Sequence, residues 1–545
     1  MAGNVVADVF DVIVVGAGPN GIYQLHRLRE AGLDVITLEA GSGVGGTWYW
    51  NRYPGARLDS ECYAYTYAFS SALIEEWDWK EEFADQPTLE GYFNFVVDRL
   101  DLRRSIVFDA RVISCVWQED ASLWIVETAD GREFHTRYLV PATGIMAVPY
   151  VPEWEGIDDF KGVRLHSADW PAGGIDFAGR RVAVVGVGST GIQIIQTIAP
   201  NVEHLTVLQR TPNWAVPLAN YRFTPERVRE VKDHYLDYYD ATQQSRSCFL
   251  WEGIDKGTFD VSDEEREAYY AELYSRPGMA LYQNNFRDVL LDVEANREVT
   301  KFLARKIRER VNDPETARKL TPVHPYATKR PPLETGYYET YNRGNVDLVA
   351  LPEEPIVRIL EDGIQTTKRV IPIDVLIIAT GFDAITGSFL KLGVRGIGGK
   401  SLEEAWADGP RTFMGIFAHD FPNMMMLGGP QGSNGNQPRC TTFVADWIVE
   451  CIQYLRANGI EQFDLNAEVE QDWVDYCNRL VMDTPLLRDA ENWQWGSNIP
   501  GKKRAYMLYV GSQPDFRAQL REIADAGYPQ LERATTSAEM GGSLR

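Results

Sequence analysis

The chain is poor in cysteine, and no two of its six cysteines (Cys62, Cys115, Cys248, Cys440, Cys451 and Cys477) stand in a C-x-x-C pair. That spacing argues against a thiol–disulfide redox centre and against a Cys-based zinc site. Positive charge is also short, since 54 Lys and Arg against 78 Asp and Glu leave a net charge of −24. A surface that acidic repels nucleic acid and anionic lipid, so neither is expected as a partner. Bound phosphates would have to be held by backbone dipoles and a few placed cations. No apolar run reaches the length of a membrane span, and no basic region precedes the strand pattern that begins near Val9. Scattered thiols without a targeting segment point to a cytoplasmic protein.

What the chain does have is length and two glycine-rich loops. Its 545 residues, 44% of them apolar, can bury a large core without disulfides or a structural metal. Residues 8–40 read strand, glycine turn, helix, strand, and residues 180–210 repeat that grammar. Each carries G-x-G-x-x-G, at Gly16, Gly18 and Gly21 and at Gly186, Gly188 and Gly191. In this context the motif predicts a tight turn, close approach of a pyrophosphate, and a helix N-terminus aimed at the anion. The second strand of the first unit ends at Glu39, placed to accept from ribose hydroxyls and to repel a 2′-phosphate. The equivalent strand of the second unit ends in Gln209, Arg210 and Thr211, where a cation suits the 2′-phosphate of NADPH. Two dinucleotide sites, one for NADPH, imply FAD in the other, with NADPH supplying the hydride.

The fold class expected is therefore α/β, with two Rossmann-like dinucleotide-binding domains and a helical insertion. The FAD domain is expected over 1–145 and 381–534, the NADP domain over 146–221 and 329–380, and the insertion over 222–328. Residues 535–545 are small and polar and read as a disordered tail. Asp130-Gly131 predicts a hairpin, Ser262 and Glu265 a capping box, and Asp313-Pro314 a helix start. Without a redox cysteine pair, chemistry at the flavin itself remains, with molecular oxygen as the obvious partner.

Between the loops, Phe160, Gly162, His166, Trp170 and Pro171 spell F-x-G-x-x-x-H-x-x-x-W-P. This resembles the fingerprint of the Baeyer–Villiger monooxygenases of type I, FAD- and NADPH-dependent enzymes that insert oxygen beside a ketone. Gly45, Gly46, Trp48, Tyr53, Pro54, Gly55 and Asp59 are similar to a second pattern of that family. Ala172 stands where the family is often acidic. Flavin monooxygenases that oxygenate amines and sulfides carry Tyr or Phe where Trp170 stands.

The resemblance implies that reduced flavin captures oxygen as a C4a-peroxide, which must stay deprotonated to attack a ketone and give an ester or lactone. Arg330 matches the family's active-site arginine, and Asp59 the aspartate beside it. By the same resemblance Lys329 grips the 2′-phosphate with Arg210, and Gly46, Thr47 and Trp48 touch cofactor. Trp493 matches the tryptophan of a loop that closes over NADP, with Trp495 as the alternative. The fingerprint segment reads as a linker that acts as a hinge between domains, Gly162 allowing its bend and His166 and Trp170 locking it. The small ketone is expected against residues 428–440 and the insertion. Two other readings stay open: oxygenation of amines or sulfides, and a redox sensor that turns nothing over.

Overall fold

The computed structural model describes residues 9–535. Two sheets form its frame, the first mixed and the second all parallel. The first contains β1 (Val9–Val15), β2 (Val35–Leu38), β3 (Ile106–Val107), β4 (Val112–Gln118), β5 (Leu123–Thr128) and β6 (Glu133–Pro141). A short strand, Val394–Arg395, closes its edge, giving the order 394–395, β4, β5, β6, β1, β2, β3. β1 lies between β6 and β2 and is parallel to both. Its last four residues are buried, as a strand covered on both faces requires.

The second sheet contains β7 (Val163–His166), β8 (Arg181–Val185), β9 (His204–Gln209), β10 (Val346–Ala350) and β11 (Val375–Ile378), in the order β10, β9, β8, β11, β7. Every pairing in it is parallel. Each glycine loop leaves the carboxyl end of a central strand, β1 or β8, where a doubly wound sheet places its ligand. The helices that follow are α1 (Pro19–Glu30) and α2 (Ser189–Ile198). Both cores are aliphatic, with Val12, Ile13 and Val14 in one sheet and Ala183, Val184, Leu376 and Ile377 in the other fully buried.

Six helices lie within residues 225–320, the longest spanning Val293–Arg310. Ser262 and Glu265 form the capping box reciprocally, and the Asp313 side chain caps the Pro314–Leu320 helix. The β5–β6 hairpin turns at Asp130-Gly131. Two antiparallel pieces were not foreseen. Residues 356–372 form a three-stranded ribbon, and Ile460–Leu465 pairs with Leu531–Thr535. Thr535 thus ends a strand rather than beginning a tail, and residues 536–545 lie outside the described residues. Among the described residues, no helix is long and apolar enough to cross a membrane, and all six cysteines are buried and free.

One expectation needs correcting. The fingerprint segment is not a free hinge, because Val163–His166 is β7, the edge strand of the second sheet, in register with Val375–Ile378. Gly162 does not supply a bend either. A Cβ there would lie 2.4 Å from the Asp374 carbonyl oxygen and 2.4 Å from the Phe160 ring, so close packing demands the glycine. Phe160 packs against the core between the second sheet and the 356–372 ribbon. Trp170 is buried and packs on Phe177, whereas Pro171 is exposed.

Candidate active site

The two glycine loops have one steric logic. A Cβ on Gly16 would stand 2.8 Å from the Ala142 carbonyl oxygen, and one on Gly21 only 1.9 Å from the Gly16 carbonyl oxygen. In the second loop the matching distances are 2.3 Å, from Gly186 to Ala379, and 2.1 Å, from Gly191 to Gly186. These contacts press each helix onto its strand. At the middle position the loops differ. Gly18 faces Gly46, whose φ of +54° turns residues 45–48 against the first loop, while a Cβ added at Gly188 would meet no other part of the protein within 4 Å. Gly188 therefore opens onto free space.

The loops fit dinucleotides. Neither α1 nor α2 has a side-chain cap or an acidic residue in its first turn, so the leading N–H groups are left for an anion. Glu39 is buried at the end of β2, and each of its oxygens accepts one backbone bond, from Ala17 N and Gly41 N, both at 2.7 Å. Burial pushes its pKa up, opposed by those two bonds and by Arg111. Each oxygen keeps further lone-pair capacity for a hydroxyl. Thr47 is exposed at the start of a one-turn helix, and the buried Trp48 donates from Nε1 to Tyr65 Oη at 3.0 Å.

The second family pattern continues into the contact between the two units. Tyr53 Oη donates to Gln193 Oε1 on α2 at 3.0 Å, and Gln193 Nε2 donates back to the Arg57 carbonyl at 3.3 Å. Gly55 has φ +83°, and a Cβ there would lie 2.2 Å from Thr197 Oγ1. The Tyr-Pro-Gly turn thus seats against α2 four residues before Asp59. Asp59 then meets Arg330 across 271 residues of chain, Oδ2 accepting from Nε at 3.0 Å and lying 2.9 Å from the second terminal nitrogen. Both side chains are about one-third exposed, 32% and 33%. Burial by itself would lower the Arg330 pKa, but Asp59, with Tyr282 and Tyr65, outweighs it and holds the guanidinium above the usual arginine range. Phe249 of the insertion lies under it, 5.5 Å from the guanidinium carbon.

Lys329 and Arg210 stand together beside this pair. Trp214 Nε1 donates to the His324 carbonyl at 2.9 Å, and Asn213 Nδ2 to the Arg330 carbonyl at 3.4 Å, which ties the stretch after β9 to the 324–330 turn. Burial and then the nearby Arg210 charge lower the Lys329 pKa, with Glu491 opposing. Arg210 and Thr211 are exposed. Two cations that feel each other's charge at the end of β9 suit an anion.

Trp493 and Trp495 are told apart by their surroundings. Trp495 is buried, donates from Nε1 to the Leu487 carbonyl at 2.9 Å, and lies under Arg504 at 3.8 Å. Trp493 is half-buried and packs on the edge of the small core that holds Trp495, Tyr506 and Leu508. His166 accepts from Ala168 N through Nδ1 at 3.1 Å and packs edge-on against Phe382. Its Nε2 is buried near Tyr150 and Gly381 without a well-formed bond, and burial lowers its pKa. His166 thus closes the end of β7 and is not brought to Arg330. The sequence reading missed Gln193, Asn296 and Asn492, all of which hold backbone or the unit interface; the Asn before Trp493 was a readable helix-cap signal.

The chain is similar to known proteins along nearly its whole length. The profile of the pyridine nucleotide-disulphide oxidoreductase family matches residues 13–245. A Baeyer–Villiger monooxygenase of Pseudooceanicola batsensis is 38% identical, over 97% of this chain and 97% of its own. A phenazine N-monooxygenase of Lysobacter antibioticus is 38% identical, over 95% of this chain and 96% of its own. The crystal structure of OTEMO in complex with FAD and NADP superposes with a TM-score of 0.94 at 39% identity, covering 97% of this chain and 100% of that one. With both fingerprints present and such relatives matched along nearly its whole length, the chain belongs to the Baeyer–Villiger monooxygenase family.

Proposed function

We propose that this protein inserts one atom of molecular oxygen beside the carbonyl of a small ketone, giving an ester or lactone, with FAD and NADPH as cofactors. Bound FAD supplies the oxygen-activating redox chemistry and bound NADPH the reducing equivalents. The observation that carries the reading is the Arg330–Asp59 pair, set where segments of both dinucleotide units meet. A guanidinium cannot lose its charge at working pH, so it stabilises negative charge that develops on oxygen during the transfer. Asp59 keeps it aimed by one charge-assisted hydrogen bond from Nε and an ion-pair contact from a terminal nitrogen, both to the same carboxylate oxygen.

The remaining roles follow from position. Residues 9–145 and 381–535 build the FAD unit, with the α1 N-terminus for the pyrophosphate and Glu39 for the ribose hydroxyls. Residues 146–221 and 329–380 build the NADP unit, with the α2 N-terminus, Arg210, Thr211 and Lys329 for the phosphates. Gly46, Thr47 and Trp48 line the flavin side, and Trp493 covers the nicotinamide side and excludes water. The insertion closes over Arg330 through Phe249.

The FAD-loaded protein given NADPH, labelled oxygen and a panel of cyclic and open-chain ketones is expected to release ester or lactone carrying one labelled atom. Mass spectrometry of the products checks this, and NADPH oxidation without any labelled ester or lactone would overturn it. A second reading, oxygenation of a heteroaromatic or amine nitrogen, is favoured by the phenazine N-monooxygenase relative. Phenazine and simple amines in the same panel distinguish the two by the N-oxide.

The cation pair makes its own prediction. Arg210→Ala and Lys329→Ala should each lower kcat/KM for NADPH by roughly 10- to 100-fold, the worth of a charge-assisted contact, and leave NADH almost unchanged. Steady-state kinetics with both coenzymes check it. Equal losses with both would remove these residues from the 2′-phosphate site.

A further inference from the structure

Lys329 and Arg330 leave a turn whose backbone is strained. Ala327 has φ +66°, a region that residues with a side chain rarely adopt. Such a conformation persists only where its surroundings over-determine it. Two asparagines bracket it, each at least nine-tenths buried. Asn296, on the 293–310 helix, accepts from Tyr326 N at 2.8 Å and donates to the Tyr326 carbonyl at 3.0 Å. On the other side of Ala327, Asn492 Nδ2 donates to the Thr328 carbonyl at 2.6 Å.

The two anchors differ in what else they hold. Asn296 also donates to the Val289 carbonyl at 2.8 Å, within the insertion. Asn492 comes from a segment 164 residues away. Its Oδ1 accepts from Gln494 N at 2.9 Å and Trp495 N at 3.2 Å, which caps the single turn that carries Trp493. That segment is seated by its own contacts, Asn498 Nδ2 to the Phe382 carbonyl at 2.8 Å and Lys502 Nζ to Asp383 Oδ1 at 2.5 Å. One buried side chain therefore joins the Trp493 turn to the peptide that links Thr328 to Lys329.

We infer that Asn492 is a positioning residue that makes the placement of Lys329 and Arg330 conditional on the docking of residues 491–503. The Thr328 carbonyl and the Lys329 N–H share one rigid peptide plane. Fixing the carbonyl fixes the direction in which Lys329 projects beside Arg210. When the 491–503 segment lifts, one of the two anchors on the strained turn lifts with it. The inference rests on the assignment of Arg210 and Lys329 to the NADPH 2′-phosphate.

The test separates the cap from the latch. Asn492→Ser keeps a good cap acceptor, but its side chain is one bond shorter and cannot also reach Thr328. In the FAD-loaded protein, Asn492→Ser and Asn492→Ala are both expected to lower the NADPH-to-NADH efficiency ratio at least fivefold. The Kd of NADP+, read by quenching of tryptophan fluorescence, should rise by a similar factor. Amide hydrogen exchange in the 325–331 peptide should accelerate at least tenfold. In a Lys329→Ala background, Asn492→Ser should leave the ratio where Lys329→Ala put it. A wild-type ratio and wild-type exchange in Asn492→Ser would overturn the latch and leave only a cap. If the unaltered protein fails to distinguish NADPH from NADH, the phosphate assignment falls. Hydrogen exchange then decides the latch by itself, and an unchanged 325–331 peptide sinks it.

Discussion

Arg330→Ala is expected to lower the rate of oxygenated product formation by roughly 100- to 1,000-fold, the usual cost of removing one preorganised stabiliser of developing negative charge. NADPH oxidation should continue and end in hydrogen peroxide, because the dinucleotide loops are untouched. Arg330→Lys should restore little. Lysine keeps the charge but lacks the planar fork that meets Asp59 Oδ2 through two nitrogens. Asp59→Ala leaves the charge and removes its anchor, so its loss should be smaller, about 10-fold, in line with misplacement rather than deletion of a catalytic group. The three variants are compared by product yield per NADPH consumed at equal FAD occupancy. Full coupling in Arg330→Ala would remove the arginine from the chemistry. An Asp59→Ala loss equal to that of Arg330→Ala would mean that the carboxylate does more than orient.

The other large effect is structural, and the two glycine loops split it into parts. Gly21→Ala puts a methyl carbon 1.9 Å from the Gly16 carbonyl oxygen, inside a packed strand–helix contact that cannot give way. Overpacking of this kind against backbone costs several kcal/mol, on the order of 4 or more. The expected result is little folded protein, with the FAD-to-protein absorbance ratio near zero. Gly191→Ala meets Gly186 at 2.1 Å and should disrupt the second unit in the same way. Gly188→Ala is the informative contrast, because nothing in the protein lies within 4 Å of the added carbon. It should fold, hold FAD and melt normally, yet bind NADP+ at least tenfold more weakly if the pyrophosphate passes there. A normal Kd in Gly188→Ala would move the pyrophosphate elsewhere.

Both loops could be read from sequence because their demand is local. At Gly21 and Gly191 a carbonyl five residues away forbids a side chain, and the strand and helix that make the contact flank it directly; Gly16 and Gly186 answer to the distant Ala142 and Ala379 carbonyls. The end of β9 was legible for the same reason. Arg330 and Asp59 are 271 residues apart, and only the family pattern, not any spacing, could put them together. The fingerprint segment shows the opposite failure. Its glycine suggested a bend, but the cause is the Asp374 carbonyl, 212 residues later and just before β11, and pairing with β11 makes the supposed hinge a sheet edge. The 356–372 ribbon carried an Asp362-Gly363 turn signal that was passed over, whereas the pairing of 460–465 with 531–535 joins distant strands and has no local mark. Asn492 offered a cap signal and Asn296 a polar position on a helix, but neither marked in sequence the distant carbonyls they bind, of Thr328 and Tyr326.

The first nucleotide loop is built at the start of the chain but is held from near its end. Helix α1 is gripped by the Gln437–Ala457 helix: Tyr23 Oη donates to Asp446 at 3.0 Å, Arg27 Nε donates to Asp446 at 2.7 Å, and Asn20 Oδ1 accepts from Thr441 Oγ1 at 2.6 Å. Tyr23 and Asp446 are 423 residues apart. At ~5 to 20 residues per second on the ribosome, that separation is a wait of roughly 20 to 85 seconds. For that interval Tyr23, Arg27 and Asn20 lack their partners, so the grip on the first nucleotide loop is completed only once the Gln437–Ala457 helix has been made.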